Sequence, residues 1–166
     1  PTLLLMGGSQ GLGPLKSIVK SLEKVPQELQ EIIVTGSNKQ LYKTLKRRIK
    51  KYSQNILLYK YVQNIEELMC ASDLIITKPG GITTAEALAK KLPLLIIKPI
   101  PGQEMNNAVF LTENNAAIKI KNPRKIHLVV NDLLERPAKM QRLRDAIEII
   151  SRPNSSLDIA NFILGL

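Results

Sequence analysis

The sequence predicts an α/β domain with a doubly wound parallel sheet and a helical tail. Three observations carry this. Short apolar runs alternate with amphipathic stretches along most of the chain, the pattern of successive βα units. Those runs are rich in Ile, Leu and Val without polar alternation, as expected of strands covered by helices on both faces. The glycines concentrate in the loops that follow the runs, where open parallel sheets bind their ligands.

The elements follow in order. A first strand is expected at 3–6, then a glycine-rich turn and a helix at 14–24 that opens with Pro14, a residue suited to the first helical turn. Strands at 32–35, 56–59, 74–77, 94–97 and 117–120 alternate with helices near 39–51, 65–71, 83–91, 105–114 and 124–135. Pro137 and Pro153 then punctuate two further helices, 138–150 and 155–164, with no strand after them. No internal repeat or low-complexity segment interrupts the series.

The 166 residues suit one domain, 1–166, with a substantial core. A composition of 44% hydrophobic and 23% charged residues argues against disorder. No apolar run approaches the roughly 20 residues that span a bilayer, and no signal-peptide pattern opens the chain. Pro1 leads at once into an apolar run, so the chain is expected to be a piece of a longer protein. The lone Cys70 is compatible with a reducing cytoplasm and is expected to be a small buried hydrophobe on a helix.

The net charge is +10, and it is unevenly placed. Between Ile32 and Ile65 there is no acidic residue, but there are Lys39, Lys43, Lys46, Arg47, Arg48, Lys50, Lys51 and Lys60. Such a patch attracts anions, whether nucleic acid, nucleotide phosphates or acidic lipid headgroups. A solvated helix face without a partner explains it equally well. A nucleic-acid-binding module would want aromatic platforms among the charges, and the chain has two Phe and no Trp. Tyr42, Tyr52, Tyr59 and Tyr61 near the patch do not make up that lack.

Three clusters carry chemistry. Met6-Gly7-Gly8-Ser9-Gln10-Gly11-Leu12-Gly13-Pro14 joins a strand to a helix, where glycines let the backbone approach a phosphate. It lacks the Lys-Ser/Thr pair of a nucleoside-triphosphate loop. Gly8-x-x-Gly11-x-Gly13 is not the dinucleotide spacing, and Thr35-Gly36-Ser37 stands where a dehydrogenase would hold its ribose with an acid. Tight-turn chemistry alone would also explain these glycines.

The second cluster is Ile75-Ile76-Thr77-Lys78-Pro79-Gly80-Gly81-Ile82-Thr83-Thr84-Ala85-Glu86-Ala87-Leu88. A helix is expected to begin near Thr83 or Thr84, either able to cap it. Glu86 then has two readings: a capping-box partner of Thr83, or an acceptor for two vicinal ribose hydroxyls. Each bond to a charged acceptor contributes about 1.5–3 kcal/mol. The third cluster, Lys98-Pro99-Ile100-Pro101-Gly102-Gln103-Glu104-Met105-Asn106-Asn107, presents carboxylate and amide groups at a helix start. They suit sugar hydroxyls, which donate and accept, though Glu104 would also serve as an ordinary helix cap.

In order and spacing the three clusters resemble the C-terminal domain of the family 28 glycosyltransferases of bacteria and plants, which have the two-domain GT-B fold with Rossmann-like halves. The runs 75–86 and 98–107 are most similar to bacterial diacylglycerol glucosyltransferases and plant monogalactosyldiacylglycerol synthases. The resemblance extends over essentially the whole chain, including Asn154-Ser155-Ser156. It implies a phosphate loop at Gly7, Gly8, Ser9, Gln10 and Gly11, and Gly80, Gly81, Ile82 and Thr83 near the diphosphate. Glu86 would take the ribose hydroxyls, the backbone at Tyr61 and Val62 the uracil edge, and Gln103, Glu104, Asn106 and Asn107 the hexose. The peptidoglycan N-acetylglucosaminyltransferase that makes lipid II is a more distant relative, with paired glutamines where this chain has Asn106 and Asn107.

The resemblance implies an inverting enzyme that moves a hexose from UDP-glucose or UDP-galactose to a diacylglycerol-type lipid on the inner face of the cell membrane. This chain would be its donor-binding half. The acceptor and the catalytic base would belong to an N-terminal domain, so the chain alone should not turn over. No resident cofactor is expected. No His/Cys/Asp cluster has metal-ligand spacing, and the only histidine, His127, falls inside an expected helix with a structural role. An N-acetylglucosaminyltransferase of peptidoglycan precursor synthesis and a non-catalytic nucleotide-sugar-binding module are the alternative readings. An anionic membrane surface is a further expected partner; nucleic acid is not.

Overall fold

The computed structural model describes residues 1–165. Six strands, β1 Thr2–Met6, β2 Gln30–Val34, β3 Asn55–Tyr59, β4 Leu74–Thr77, β5 Leu94–Ile97 and β6 Ala117–Ile120, form one parallel sheet in the order β3-β2-β1-β4-β5-β6. From β1 the chain winds one way through β2 and β3, then crosses back to β4 and winds the other way. The direction reverses between β1 and β4, which opens a crevice at their carboxyl ends.

The pleat sorts the core. Leu3 and Leu5 of β1 face one layer, built on α1 Leu15–Leu22, α2 Lys39–Arg48 and α6 Ile126–Glu135. Leu4 and Met6 face the other, built on α3 Ile65–Cys70, α4 Gly81–Ala89 and α5 Gln103–Glu113. The helix α7 Pro137–Ile150 joins the layers, giving Met140 and Leu143 to the first and Ile147 to the second. It passes the amino ends of β1 and β4, where Arg144 lies 4.0 Å from Asp73. The helix thereby closes the lower edge of the sheet and leaves the carboxyl edge to the loops.

Several boundaries depart from expectation. Pro14 is the cap of α1, its carbonyl accepting from Ser17 and Ile18. The basic stretch 39–51 ends in a 3-10 turn, Ile49–Lys51, and another such turn, Pro123–Lys125, precedes α6. Strand β3 is covered on one face only, with Ile56 and Leu58 packed and Leu57 and Tyr59 exposed. The short α3 sends Met69 into the core near β2 and does not reach over this edge. Cys70, at the end of α3, is exposed and not the buried hydrophobe expected; Met69 takes the inward face of α3, and the next residue lies about 100° further round the helix. The last helix, α8 Ser155–Leu164, buries none of its side chains.

Candidate functional site

Two glycine loops interlock at the carboxyl edge. A Cβ on Gly11 would strike the Thr35 carbonyl, and one on Gly36 would strike the Ser9 carbonyl; both residues have φ +57. Only glycine tolerates this combination of close approach and left-handed backbone. Ser37 N–H donates to Ser9 O at 2.8 Å, and Asn38 ties the pair further. Its Oδ1 accepts from Leu41 N–H, capping α2, while its Nδ2 donates to Gly11 O at 3.3 Å. The amides of Gly8, Ser9 and Gln10 have no protein acceptor among the described residues.

The second cluster forms a bare helix end. Helix α4 begins at Gly81 with Gly80 as its cap and no side-chain hydrogen bond there. Its first bonded amide is Thr84, which donates to Gly80 O at 2.9 Å, and the N–H groups of Gly81, Ile82 and Thr83 have no acceptor among the described residues. Thr83 and Thr84 lie inside the helix, and the capping box that would have occupied Glu86 does not form. Glu86 is half-buried on the same face as Ile82 and Thr83 and makes no hydrogen bond or ion pair among the described residues. Burial, and then the neighbouring Glu66, push its carboxyl above the usual carboxylate range.

Between these features lies a cavity of about 310 Å³, within the range usual for small-molecule sites. Met6, Gly8, Ser9, Gly36, Ile82 and Thr83 line one part of it, and Val34, Tyr61, Val62 and Ile65 the rest. It sits at the point where the sheet reverses. A larger hollow of about 570 Å³, walled by Pro1, α6 and α7, has neither a glycine loop nor a free helix end.

The third cluster joins the second through side chains. Helix α5 begins at Gln103, capped by Gly102 at φ +97, two residues earlier than expected. Glu104 is therefore not a cap. Its Oε1 takes the Lys78 ammonium at 2.7 Å and its Oε2 accepts Ile100 N–H at 2.9 Å. The Lys78–Glu104 pair is largely buried, 12% and 17% exposed. Asn107 Nδ2 donates to Pro79 O at 2.9 Å and pins the Pro-Gly-Gly turn. The Gln103 amide nitrogen lies 3.8 Å from where a Gly81 Cβ would stand. Asn106 is exposed and makes no side-chain hydrogen bond among the described residues.

Lys78, to which the sequence alone gave no role, stands among these clusters. Its Cε lies 3.9 Å from where a Gly8 Cβ would stand, which puts a cation between the first glycine loop and Glu104. The available signal was a lysine at a strand end directly before Pro-Gly-Gly. His127 lies apart from all of this, its Nδ1 2.8 Å from Ser21 Oγ. Among the described residues no three His, Cys, Asp or Glu side chains gather as a metal site would need, and no helix is long and apolar enough to cross a membrane.

Comparison with known proteins identifies the family and matches the fold. Residues 2–154 match the glycosyltransferase family 28 C-terminal domain. A processive diacylglycerol beta-glucosyltransferase of Bacillus mycoides (strain KBAB4) is 35% identical over 164 residues, which is 98% of this chain. The chain spans 42% of that relative's length. Among solved structures, MurG of Acinetobacter baumannii superposes with a TM-score of 0.74 at 19% identity, over 99% of this chain and 50% of that one. Anabaena HepE, solved in complex with UDP-glucose, gives 0.71 at 17%, over 99% and 49%. At such identities the two structures speak for the fold.

Proposed function

Since this chain belongs to glycosyltransferase family 28, as its C-terminal domain, we propose that it is the donor-binding half of an enzyme that glycosylates a membrane lipid. The donor is UDP-glucose or UDP-galactose and the acceptor a diacylglycerol-type lipid. The observation that carries the reading is the cavity at the sheet's reversal point, lined by Gly8 and Ser9 of the glycine loop and by Ile82 and Thr83 of the uncapped start of α4; Glu86 follows one turn further along that helix. The relatives named as diacylglycerol glucosyltransferases support the choice of acceptor.

In this reading uracil lies against the backbone of Tyr61 and Val62, and Glu86 accepts from the ribose hydroxyls. The diphosphate meets the amides of Gly8–Gln10 and Gly81–Thr83, with Lys78 beside them. Gln103, Glu104 and Asn106 face the hexose, and Asn107 holds the turn between sugar and diphosphate. Glu104 is used twice by the protein, but a carboxylate offers about four acceptor positions, so two remain for hydroxyls.

The reaction is an in-line attack of the acceptor hydroxyl on the anomeric carbon with inversion. The anomeric C–O bond breaks as the new one forms, and its electrons leave with the UDP oxygen. The free amides and the Lys78 cation stabilise that charge without metal assistance, and a preorganised set of donors needs little rearrangement to do so. The base that takes the hydroxyl proton belongs to the N-terminal domain, so catalysis needs both halves, working on the cytoplasmic face of the membrane.

Calorimetric titration of the chain with UDP, UDP-glucose, UDP-galactose and UDP-N-acetylglucosamine tests this. Saturable binding of UDP, with UDP-glucose or UDP-galactose ahead of the N-acetylated sugar, is expected. Preference for UDP-N-acetylglucosamine would move the reading to peptidoglycan precursor synthesis. No binding by folded chain would defeat it.

A further inference from the structure

A second set of cations, away from the cavity, has no counter-charge. Lys16, Lys20 and Lys24 recur every fourth residue along α1 and its end, and so share one stripe. With Arg48, at the end of α2, and Arg124, in the turn before α6, they line a groove of about 390 Å³. An adjoining hollow of about 600 Å³ shares Lys20 and Arg48 and adds Arg47 and Lys51. None of these seven cations makes an ion pair among the described residues. Glu23, at the end of α1, is engaged by the backbone N–H groups of Ser53 and Gln54.

The groove is built and not merely adjacent charge. Ser21 is buried between its walls and donates from Oγ to Arg124 O at 3.0 Å, with His127 Nδ1 at 2.8 Å from the same oxygen. These bonds lock the turn that carries Arg124 against α1. Helices α1 and α2 run antiparallel to the strands they join, so Lys20, Lys24 and Arg48 lie toward the amino ends, and the groove shares no lining residue with the cavity. A concave site lined by one sign of charge focuses potential and concentrates multiply charged anions.

We propose that this groove is an anion-binding site for a phosphate group, distinct from the candidate nucleotide cavity. Guanidinium groups meet phosphate oxygens in pairs, and lysines add point charge. An acidic phospholipid headgroup and a soluble phosphate ester both present this chemistry. The site stands independently of the UDP reading.

Two probes separate the sources. Vesicles of phosphatidylcholine with and without phosphatidylglycerol are co-sedimented with the chain, and thermal unfolding is followed in inorganic phosphate against chloride at matched ionic strength. The triple variant Lys20→Gln, Arg48→Gln, Arg124→Gln is run beside it, with Arg124→Gln alone as the milder change and circular dichroism to verify folding. Each cation near an anionic surface is worth roughly fivefold, so the triple variant should weaken binding about a hundredfold and the single one about fivefold. Loss confined to the vesicles assigns a lipid headgroup; loss of stabilisation by inorganic phosphate assigns a soluble ester. Binding of neither probe, or binding that both folded variants retain, overturns the proposal.

Discussion

Glu86 concentrates the chemistry of the candidate site in one side chain. It is half-buried, unpaired and beside the free end of α4. Removing it should cost the ribose contacts: Glu86→Ala is expected to weaken UDP at least about tenfold, roughly 1.4 kcal/mol, read by calorimetry. The carboxylate must be ionised to accept from two hydroxyls, and burial followed by Glu66 raises its pKa. The wild-type advantage over Glu86→Ala should therefore shrink as pH falls, beginning above the usual carboxylate range of about 4–4.5. Glu86 was legible in the sequence because its neighbours form a local motif. Glu104 was less so. Its partner Lys78 is 26 residues away, and the two meet only because β4 and β5 lie side by side, which no local pattern announces. The structure resolves the choice left open for Glu104 against the cap reading, and brings in the cation that the sequence reading had left without a role.

At the scale of elements, the strands were the most legible part. Their apolar runs fall within a residue or two of the observed bounds, because burial on the sheet dictates those residues directly. The starts of α4 and α5 were misjudged by two residues, and for one physical reason. Thr83 and Glu104 look like caps, but the helices begin on Gly80 and Gly102 with no side-chain cap. A glycine cap offers no side-chain acceptor, so these two helices lack the usual start signal. Strand β2 carries the other surprise. Glu31 is fully buried toward α1, with neither carboxylate oxygen hydrogen-bonded among the described residues. Burial first, then Glu23, raise its pKa from 4.5 to about 8. The folded state thus holds a proton that the unfolded chain releases above about pH 4.5. Stability is fully present below that value and falls as pH rises through 8, by on the order of 5 kcal/mol at most. Glu31→Gln should flatten that slope in chemical denaturation measured across the window, and raise stability at its alkaline end. An unchanged slope would show that the carboxyl titrates normally.

The whole molecule divides its edges between tasks. The carboxyl edge of the sheet holds the interlocked glycine loops, the bare end of α4 and the cavity. The amino edge is closed by α7, and the last turns of α1 and α2 bring Lys20, Lys24 and Arg48, without ion pairs among the described residues, toward it. Helix α8 stands off both layers, with Phe162 88% exposed; its expected length was right, but sequence alone did not reveal that it would bury nothing. This division of edges makes the central claim local. A titration of isotopically labelled chain with UDP, followed through backbone amide resonances, reads every loop at once. Saturable shifts are predicted at Gly8–Gln10, Val62 and Gly81–Thr83, and at lower UDP than any response of the amides around Lys20 and Arg124. Shifts confined to the cationic groove, or none at saturating UDP in folded chain, would contradict the assignment of the reversal-point cavity as the nucleotide site.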